Sequence, residues 1–175
     1  RKAKVNLISK CMDLLGRRRV ITERDSNMPY LVRYYVFLKE RNRFPFNITL
    51  HKVLKSDECT LHDHPWSYAT FIIKGGYWEF IPVVSREGFV VGATAEWRGP
   101  GHFRRRPATD LHYLTLDKDE HGNEIPCWSL FFMGKKAKDW GFMKFFSHKE
   151  QSDIYKQGYQ WVSHTEYLAR GAKDE

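Results

Sequence analysis

The chain has 175 residues, a length typical of one domain with a sizeable hydrophobic core. Hydrophobic residues make up 42% of the sequence and aromatic residues 15%, which excludes collagen-like and extensively disordered proteins. No apolar run is long enough to cross a bilayer, because "YATFII" is followed by a lysine and two glycines. The sequence therefore predicts a globular protein with no membrane partner.

The formal net charge is +8, and most of it comes from four basic clusters. The clusters lie within residues 17–19, 41–43, 104–106 and 135–138. A basic chain is compatible with an anionic partner, such as nucleic acid or an acidic substrate. Solvated loops between strands explain any single cluster equally well.

The three cysteines indicate the compartment. They are widely spaced and form no CxxC motif, which argues against a disulfide framework and for a reducing environment. The N-terminal stretch carries charges at both ends and has helical periodicity, unlike a cleaved signal peptide. We therefore expect a cytoplasmic protein.

A short amphipathic helix is predicted over about residues 3–16. Apolar side chains recur there at spacings of three and four, and a glycine follows as a C-terminal cap. These residues are Val5, Ile8, Met12 and Leu15, with Gly16 next. The helix is expected to lie against the outside of the main body.

A series of short strands is predicted from about residue 19 to residue 146, separated by turn-forming stretches such as "SREG" and "DEHGN". The predicted strands cover residues 30–38, 46–55, 59–63, 67–73, 77–84, 88–95, 111–116, 127–133 and 140–146. This pattern predicts an all-β sandwich or barrel. The polar tail, residues 147–175, is predicted to be partly helical or loosely attached, and residues 1–175 to form a single domain.

The segment "HDHPWSYATFIIKGG", residues 62–76, suggests a metal site. Side chains alternate between the two faces of a strand, so His62 and His64 point the same way and Asp63 points to the other face. Two imidazoles on one face can chelate one ion. The pair alone is weak evidence, because such pairs also occur by chance on exposed strands.

The spacing around the pair agrees with two cupin motifs without a gap. The first motif, G-x5-H-x-H-x3-E-x6-G, aligns with Ser56, His62, His64, Tyr68 and Gly75. The second motif, G-x5-P-x-G-x2-H-x3-N, aligns with Gly101, Pro107, Thr109, His112 and Leu116. The sequence therefore resembles the cupin superfamily, and in particular small metal-binding cupin-type proteins of bacteria and their viruses. This resemblance implies a cupin double-stranded β-helix, or jelly-roll barrel.

The resemblance also implies a metal centre with three protein ligands. Tyr68 replaces the glutamate ligand of the first motif, which leaves a set resembling the cupins that bind ferrous iron through three imidazoles. The implied ligands are His62, His64 and His112. Three ligands with open positions suit a catalytic metal. Imidazole alone does not select the ion. The resemblance implies Fe(II) as the preferred ion, with Zn, Ni and Mn as alternatives.

Three further residues are candidates beside the metal. Tyr68 shares the strand face of the histidine pair, where its phenol either donates a hydrogen bond to substrate or fills the barrel. Glu79 is either an outer ligand, base or substrate contact, or a surface carboxylate on a hairpin. His51 shares a face with Asn47 and Thr49, and this polar face either lines a wet pocket, with His51 beside the metal, or is exposed to solvent.

Arg104 and Arg106 precede the second motif and are expected near the mouth of the barrel. Guanidinium groups there would bind the carboxylate or phosphate of a substrate, or form a basic rim without a ligand. The leading hypothesis is a mononuclear Fe(II) oxygenase that acts on a small anionic substrate. The alternatives are a metal-stabilised binding module for nucleic acid or nucleotide and a non-catalytic scaffold, since the fold hosts many functions. Exposed barrel edges make a homodimer a reasonable expectation.

Overall fold

A computed structural model describes residues 7–23, 26–40, 44–149 and 155–171. This part of the chain forms eleven strands and two short helices. The strands are β1 (Arg18–Thr22), β2 (Pro29–Tyr35), β3 (Asn47–Val53), β4 (Trp66–Lys74), β5 (Tyr77–Val84), β6 (Val90–Arg98), β7 (Phe103–Arg106), β8 (Tyr113–Leu116), β9 (Cys127–Lys136), β10 (Gly141–Lys149) and β11 (Tyr155–Ser163). The helices are α1 (Leu7–Leu14) and α2 (His164–Gly171). Neither of these two helices is long and apolar enough to span a membrane.

The strands form three sheets in which all pairs are antiparallel. The largest sheet has the order β1-β2-β3-β9-β4-β7, the second has the order β6-β5-β8, and the third pairs β10 with β11. Buried side chains from the first two sheets meet in one core cluster, as expected when sheets pack face to face. The cluster contains Leu31, Val53, Ile72, Tyr77, Leu116 and Cys127. The predicted all-β fold of the cupin jelly-roll type is thereby confirmed.

Strand β3 turns a polar face toward the interior. Its side chains alternate between buried and half-buried positions, and the buried ones are Asn47, Thr49, His51 and Val53. The Asn47 amide bonds both the backbone N–H and the carbonyl of Leu38, at 3.1 and 3.0 Å, which satisfies its polar atoms. The alternative of a solvent-exposed polar face is therefore wrong.

The turn between β4 and β5 requires its first glycine. Gly75 has a φ of +76°, a left-handed backbone conformation that residues with a side chain rarely adopt. A Cβ atom there would also lie 2.5 Å from the carbonyl oxygen of Pro126. This tight reversal lets β5 leave the large sheet and begin the second sheet.

Three observed strands are not predicted by the sequence pattern. β1 and β7 are rich in arginine, and each forms because it pairs with a neighbouring strand of the large sheet. β11 lies in the polar tail and pairs with β10 over residues 155–163, after which α2 confirms that the tail is partly helical. In contrast, the predicted strand at 59–63 is wrong, since only His62 forms isolated bridges there, to His112 and Phe142.

The predicted N-terminal helix corresponds to α1, and residues 3–6 lie outside the described residues. Gly16 caps it as predicted, with a φ of +58° and its N–H bonded to the Asp13 carbonyl at 2.9 Å. Leu15, expected on the packed face, is 64% exposed, because the chain has already left the helix there.

Candidate metal centre

Three histidines from two separate segments converge between the sheets. His62 and His64 lie between β3 and β4, and His112 directly precedes β8. Backbone hydrogen bonds join His62 and His112 in both directions, with N–O distances of 2.9 and 3.0 Å. Residues directly opposite each other in an antiparallel pair project to the same side. The bridge therefore places the two rings together, with centroids 5.2 Å apart.

The ring nitrogens have the spacing of ligands to one ion. One nitrogen from each of His62, His64 and His112 lies within 4.8 Å of the others. The Nε2 atoms of His64 and His112 are 2.9 Å apart. Two nitrogens that bind one metal at about 2.0–2.1 Å lie about 2.9 Å apart at right angles and about 3.4 Å apart in a tetrahedral site. The observed pair falls within this range.

Glu79 determines which nitrogen of His112 faces the other histidines. Its Oε1 lies 3.0 Å from His112 Nδ1. Burial alone would raise the pKa of the Glu79 carboxyl, but hydrogen bonds from His112 and two arginines hold this pKa well below its usual range. An ionised carboxylate only accepts hydrogen bonds, so Nδ1 carries the proton and Nε2 presents its lone pair.

This lone pair of His112 Nε2 faces two candidate donors. The Tyr68 hydroxyl lies 3.0 Å from it, and His64 Nε2 lies 2.9 Å from it. One lone pair accepts one good hydrogen bond, so the two contacts cannot both be satisfied by hydrogen bonding. A cation bound by both imidazoles would resolve this conflict.

The histidines that face each other at this site are neutral. Burial, with the neighbouring His112 and His62, holds the pKa of His64 well below its usual range. Burial also lowers the pKa of His112, although the hydrogen bond to Glu79 opposes this shift. Neutral imidazoles are metal ligands, whereas imidazolium is not. The donor set therefore fits a divalent transition metal.

Glu79 belongs to a buried ion cluster that joins the two larger sheets. It is 3% exposed, and it receives hydrogen bonds of 2.8 Å from Arg98 Nε and from Arg106 Nε. Glu79 lies on β5 of the three-stranded sheet, whereas Arg106 lies on β7 of the large sheet. The predicted alternative of a surface carboxylate on a hairpin is therefore wrong.

Arg104 and Arg106 do not form the anion clamp predicted at the mouth of the barrel. Arg106 is 2% exposed, and its guanidinium binds Glu79 and, at 3.0 Å, Asp110. Arg104 lies 3.4 Å from Glu96 and 3.8 Å from Glu79. Carboxylates of the chain itself already pair with both guanidinium groups, so these two arginines no longer support the expectation of an anionic substrate.

Tyr68 is brought to the histidines, as its strand position predicts. It is buried on β4, and its ring stacks on Phe131 at a centroid distance of 5.0 Å. Burial raises the pKa of the Tyr68 phenol well above its usual range, so the hydroxyl keeps its proton. The side chain fills the interior and offers a donor at the candidate centre, while a contact with substrate stays a prediction.

His51 lies behind this layer rather than among the candidate ligands. Its ring stacks on Phe131 at 4.7 Å, and its Nε2 lies 3.1 Å from Arg33 Nε and 3.0 Å from the Thr49 hydroxyl. Burial, together with the charge of Arg33, lowers the pKa of His51 to about 3. His51 is therefore a neutral residue that packs against Phe131, on which Tyr68 also stacks. Its predicted catalytic role stays a prediction.

Asp63 is a functional neighbour that the sequence pattern does not identify. Its carboxylate accepts hydrogen bonds from the Gly141 backbone N–H at 2.8 Å, from Trp161 Nε1 at 2.9 Å and from Lys138 Nζ. These bonds hold the β10–β11 hairpin against the segment that carries the histidines. The only feature of the sequence that could have identified Asp63 is its position between His62 and His64. Because side chains alternate along an extended segment, this position directs Asp63 away from the metal side.

Comparisons with known proteins return only low similarities. No protein-family profile and no curated protein matches the chain. The solved structure of the polyketide cyclase RemF from Streptomyces resistomycificus is 14% identical with a TM-score of 0.45, covering 81% of this chain and 79% of that one. Hydroxypropylphosphonic acid epoxidase from S. wedmorenis is 13% identical with a TM-score of 0.45, covering 68% of this chain and 56% of that one.

A third solved structure, KdgF from Halomonas sp., is 12% identical with a TM-score of 0.41 and covers 65% of this chain and 87% of that one. The chain thus spans little more than half the length of the epoxidase. Similarities at this level carry no argument about function. The functional proposal therefore rests on the geometry of the histidines.

Proposed function

We propose that this protein is a mononuclear metalloenzyme that binds one divalent ion through His62, His64 and His112, and that it is an oxygenase with Fe(II) as the preferred ion. The observation that carries the proposal is the convergence of these three imidazoles, with one nitrogen of each within 4.8 Å of the others. Three protein ligands leave coordination positions open, which a catalytic metal needs.

The ligand type supports a transition metal. Imidazoles suit transition metals, whereas Mg²⁺ and Ca²⁺ take oxygen ligands. The Nε2 atoms of His64 and His112 are 2.9 Å apart, close enough to bind one ion together. Ligand type alone does not choose among the transition metals that imidazole binds; Fe(II) is the ion we propose, and Zn, Ni and Mn are the alternatives.

When bound, Fe(II) supplies redox chemistry toward dioxygen at its open positions. The chain's own residues hold the protons around it. Glu79 keeps the proton of His112 on Nδ1 and so directs Nε2 toward the ion. Tyr68 keeps its proton, and once His112 Nε2 is engaged by the ion, the Tyr68 hydroxyl can donate to a substrate group. Phe131 covers the ring of Tyr68 and excludes water from that side.

Metal content tests the proposal directly. Protein purified without added metal, then titrated with Fe(II) under anaerobic conditions, should reach one ion per chain by elemental analysis. His64→Ala should lose stoichiometric loading, because it removes one of three ligands. His121→Ala is the matched control, since His121 is exposed on a turn. Full occupancy in a His62→Ala/His64→Ala double variant would contradict the assignment.

The basic clusters give a weaker basis for the alternative of a nucleic-acid-binding module. Arg18 pairs with Asp13, and Lys136 pairs with Asp139, so part of the positive charge is neutralised locally. A steep loss of DNA or RNA affinity with salt, unchanged in His64→Ala, would favour that alternative.

A further inference from the structure

A cavity of about 390 Å³ opens beside the candidate metal centre and has His62 in its wall. Its volume lies in the range of pockets for small organic ligands. Residues from the β1–β2 turn, the segment before His62, β10 and α2 enclose it. The lining includes Asp57, Glu58, His62, Trp140, Phe142 and Tyr167. A molecule in this cavity contacts one of the three candidate ligands.

The aromatic side of the cavity is a preassembled surface. The Phe142 and Tyr167 rings stack at a centroid distance of 4.3 Å, and Trp140 lies 5.1 Å from Phe142. Flat apolar groups and organic cations both bind to such faces, the cations through the ring quadrupole. This side brings α2, from the tail of the chain, next to the metal centre.

The cavity lining also includes acidic residues. Among the described residues that line it, three are carboxylates and none is a lysine or arginine. Glu23 is paired with Lys55 just outside, so its charge is largely compensated. The charges of Asp57 and Glu58 therefore dominate the lining.

Asp57 is a built-in negative charge rather than a surface acid. Its side chain is 8% exposed. Its Oδ1 accepts a hydrogen bond from the Tyr30 hydroxyl, and its Oδ2 accepts one from the Leu114 backbone N–H at 2.7 Å. Both donors are neutral, and the His62 Nε2 atom lies 4.0 Å away. In the metal-free protein, no lysine or arginine among the described residues forms an ion pair with Asp57, so its field reaches into the cavity, and a dication on His62 would offset part of that field.

We infer that this cavity is the substrate pocket of the metal centre and that it takes a small organic cation with a flat apolar portion, not an anion. The ammonium or guanidinium group lies toward Asp57 and Glu58, and the apolar portion lies against Trp140, Phe142 and Tyr167. The inference rests on the proposed function in one respect, since it treats His62 as a metal ligand in the cavity wall. The acidic lining disfavours an anionic substrate, which is the class that the sequence predicts from Arg104 and Arg106.

Three probes with the same aromatic body and different head groups test this inference. They are phenethylamine, 2-phenylethanol and 3-phenylpropanoate, titrated by ligand-observed NMR against metal-free and Mn(II)-loaded protein. For the metal-free protein we expect phenethylamine to bind about ten-fold more tightly than 3-phenylpropanoate, or better, with the alcohol between them, because a bound dication would itself attract the carboxylate. Mn(II) should broaden the signals of bound phenethylamine, because the cavity wall includes His62.

Matched variants identify the residues responsible. Glu58 is exposed, so Glu58→Gln keeps the fold and should narrow the amine-to-acid ratio by about two- to five-fold, the range for an exposed charge. Glu120→Gln, an exposed acid that does not line the cavity, should leave the ratio unchanged. Trp140→Leu should weaken binding of the amine and the alcohol together.

In the metal-free protein, equal or tighter binding of the alcohol or the acid, no binding of the amine, or amine binding unchanged in both Glu58→Gln and Trp140→Leu would overturn the cation assignment. Elemental analysis reports the metal separately. If the amine is preferred but no metal loads, the proposed function fails and the ligand class stands. If metal loads and Mn(II) does not broaden the bound amine, the link between cavity and metal fails.

Discussion

Glu79→Gln separates the charge of Glu79 from its shape. Glutamine keeps an acceptor oxygen for His112 Nδ1, 3.0 Å away in the wild type, but it removes the negative charge that fixes the ring proton. Removal of such an outer partner of a metal-bound histidine costs about 10–100-fold in metal affinity. We expect the lower end, about ten-fold or about 1.4 kcal/mol, because the amide still accepts.

The same change should destabilise the metal-free protein. Arg98 and Arg106 each lose a charged partner, with side chains only 9% and 3% exposed. Removing one partner of a buried pair costs about 3–5 kcal/mol. Each arginine keeps a second carboxylate, Glu96 or Asp110, so we expect a smaller loss of about 2–3 kcal/mol in the free energy of unfolding.

Two measurements check this prediction. Competition with a chromophoric chelator gives the metal affinity, and urea unfolding in excess chelator gives the stability of the metal-free form. Glu96→Gln is the matched control, because Glu96 also pairs with Arg98 but its side chain is 46% exposed. Metal affinity equal to wild type in Glu79→Gln, or an equal loss in Glu96→Gln, would refute the role assigned to Glu79.

Three other predictions follow from the same geometry. Tyr68→Phe removes the hydroxyl that competes with the metal for His112 Nε2, so metal affinity should rise about two- to ten-fold in the chelator assay. A lower metal affinity in this variant would instead indicate that the phenol is a metal ligand. Burial lowers the pKa of His64 and His112, so metal affinity measured across pH should hold down to about 6.5 and fall only below it; a fall that begins above pH 7 would contradict their burial. The pKa of His51 is about 3 in the folded protein and 6.5 in the unfolded chain, so between these values only the unfolded chain takes up a proton. The free energy of unfolding should therefore fall by about 1.4 kcal/mol for each unit by which the pH drops in this range. In urea titrations His51→Gln should lose this part of the slope, and an unchanged slope would show that His51 is not buried as a neutral ring.

The candidate ligands are predictable from the sequence because their spacing is local or follows a motif. His62 and His64 are two residues apart, and His112 occupies the histidine position of the second motif. The expected strand at 59–63 is nevertheless wrong, because His62 forms only isolated bridges there. The bridge between His62 and His112 gives these two side chains their shared orientation. Spacing therefore identifies the ligands, while tertiary pairing sets their geometry.

The environment of Glu79 is not predictable in this way. On β5 the aromatic residue Trp78 is 41% exposed, while Tyr77 and the charged Glu79 on the other face are buried. A burial pattern based on hydrophobicity would place Trp78 inside and Glu79 outside. Glu79 is buried because Arg106, from a strand of another sheet, neutralises it, and no local pattern encodes this pairing.

X-ray absorption spectroscopy of the Fe(II)-loaded protein tests the central claim most directly. Imidazole rings give characteristic multiple scattering, so the spectrum counts the histidines bound to the ion. We predict three imidazoles on Fe(II) in the wild type and two in His112→Ala. A wild-type spectrum with one imidazole or none, dominated by oxygen ligands, would contradict the assignment of His62, His64 and His112 as the metal site.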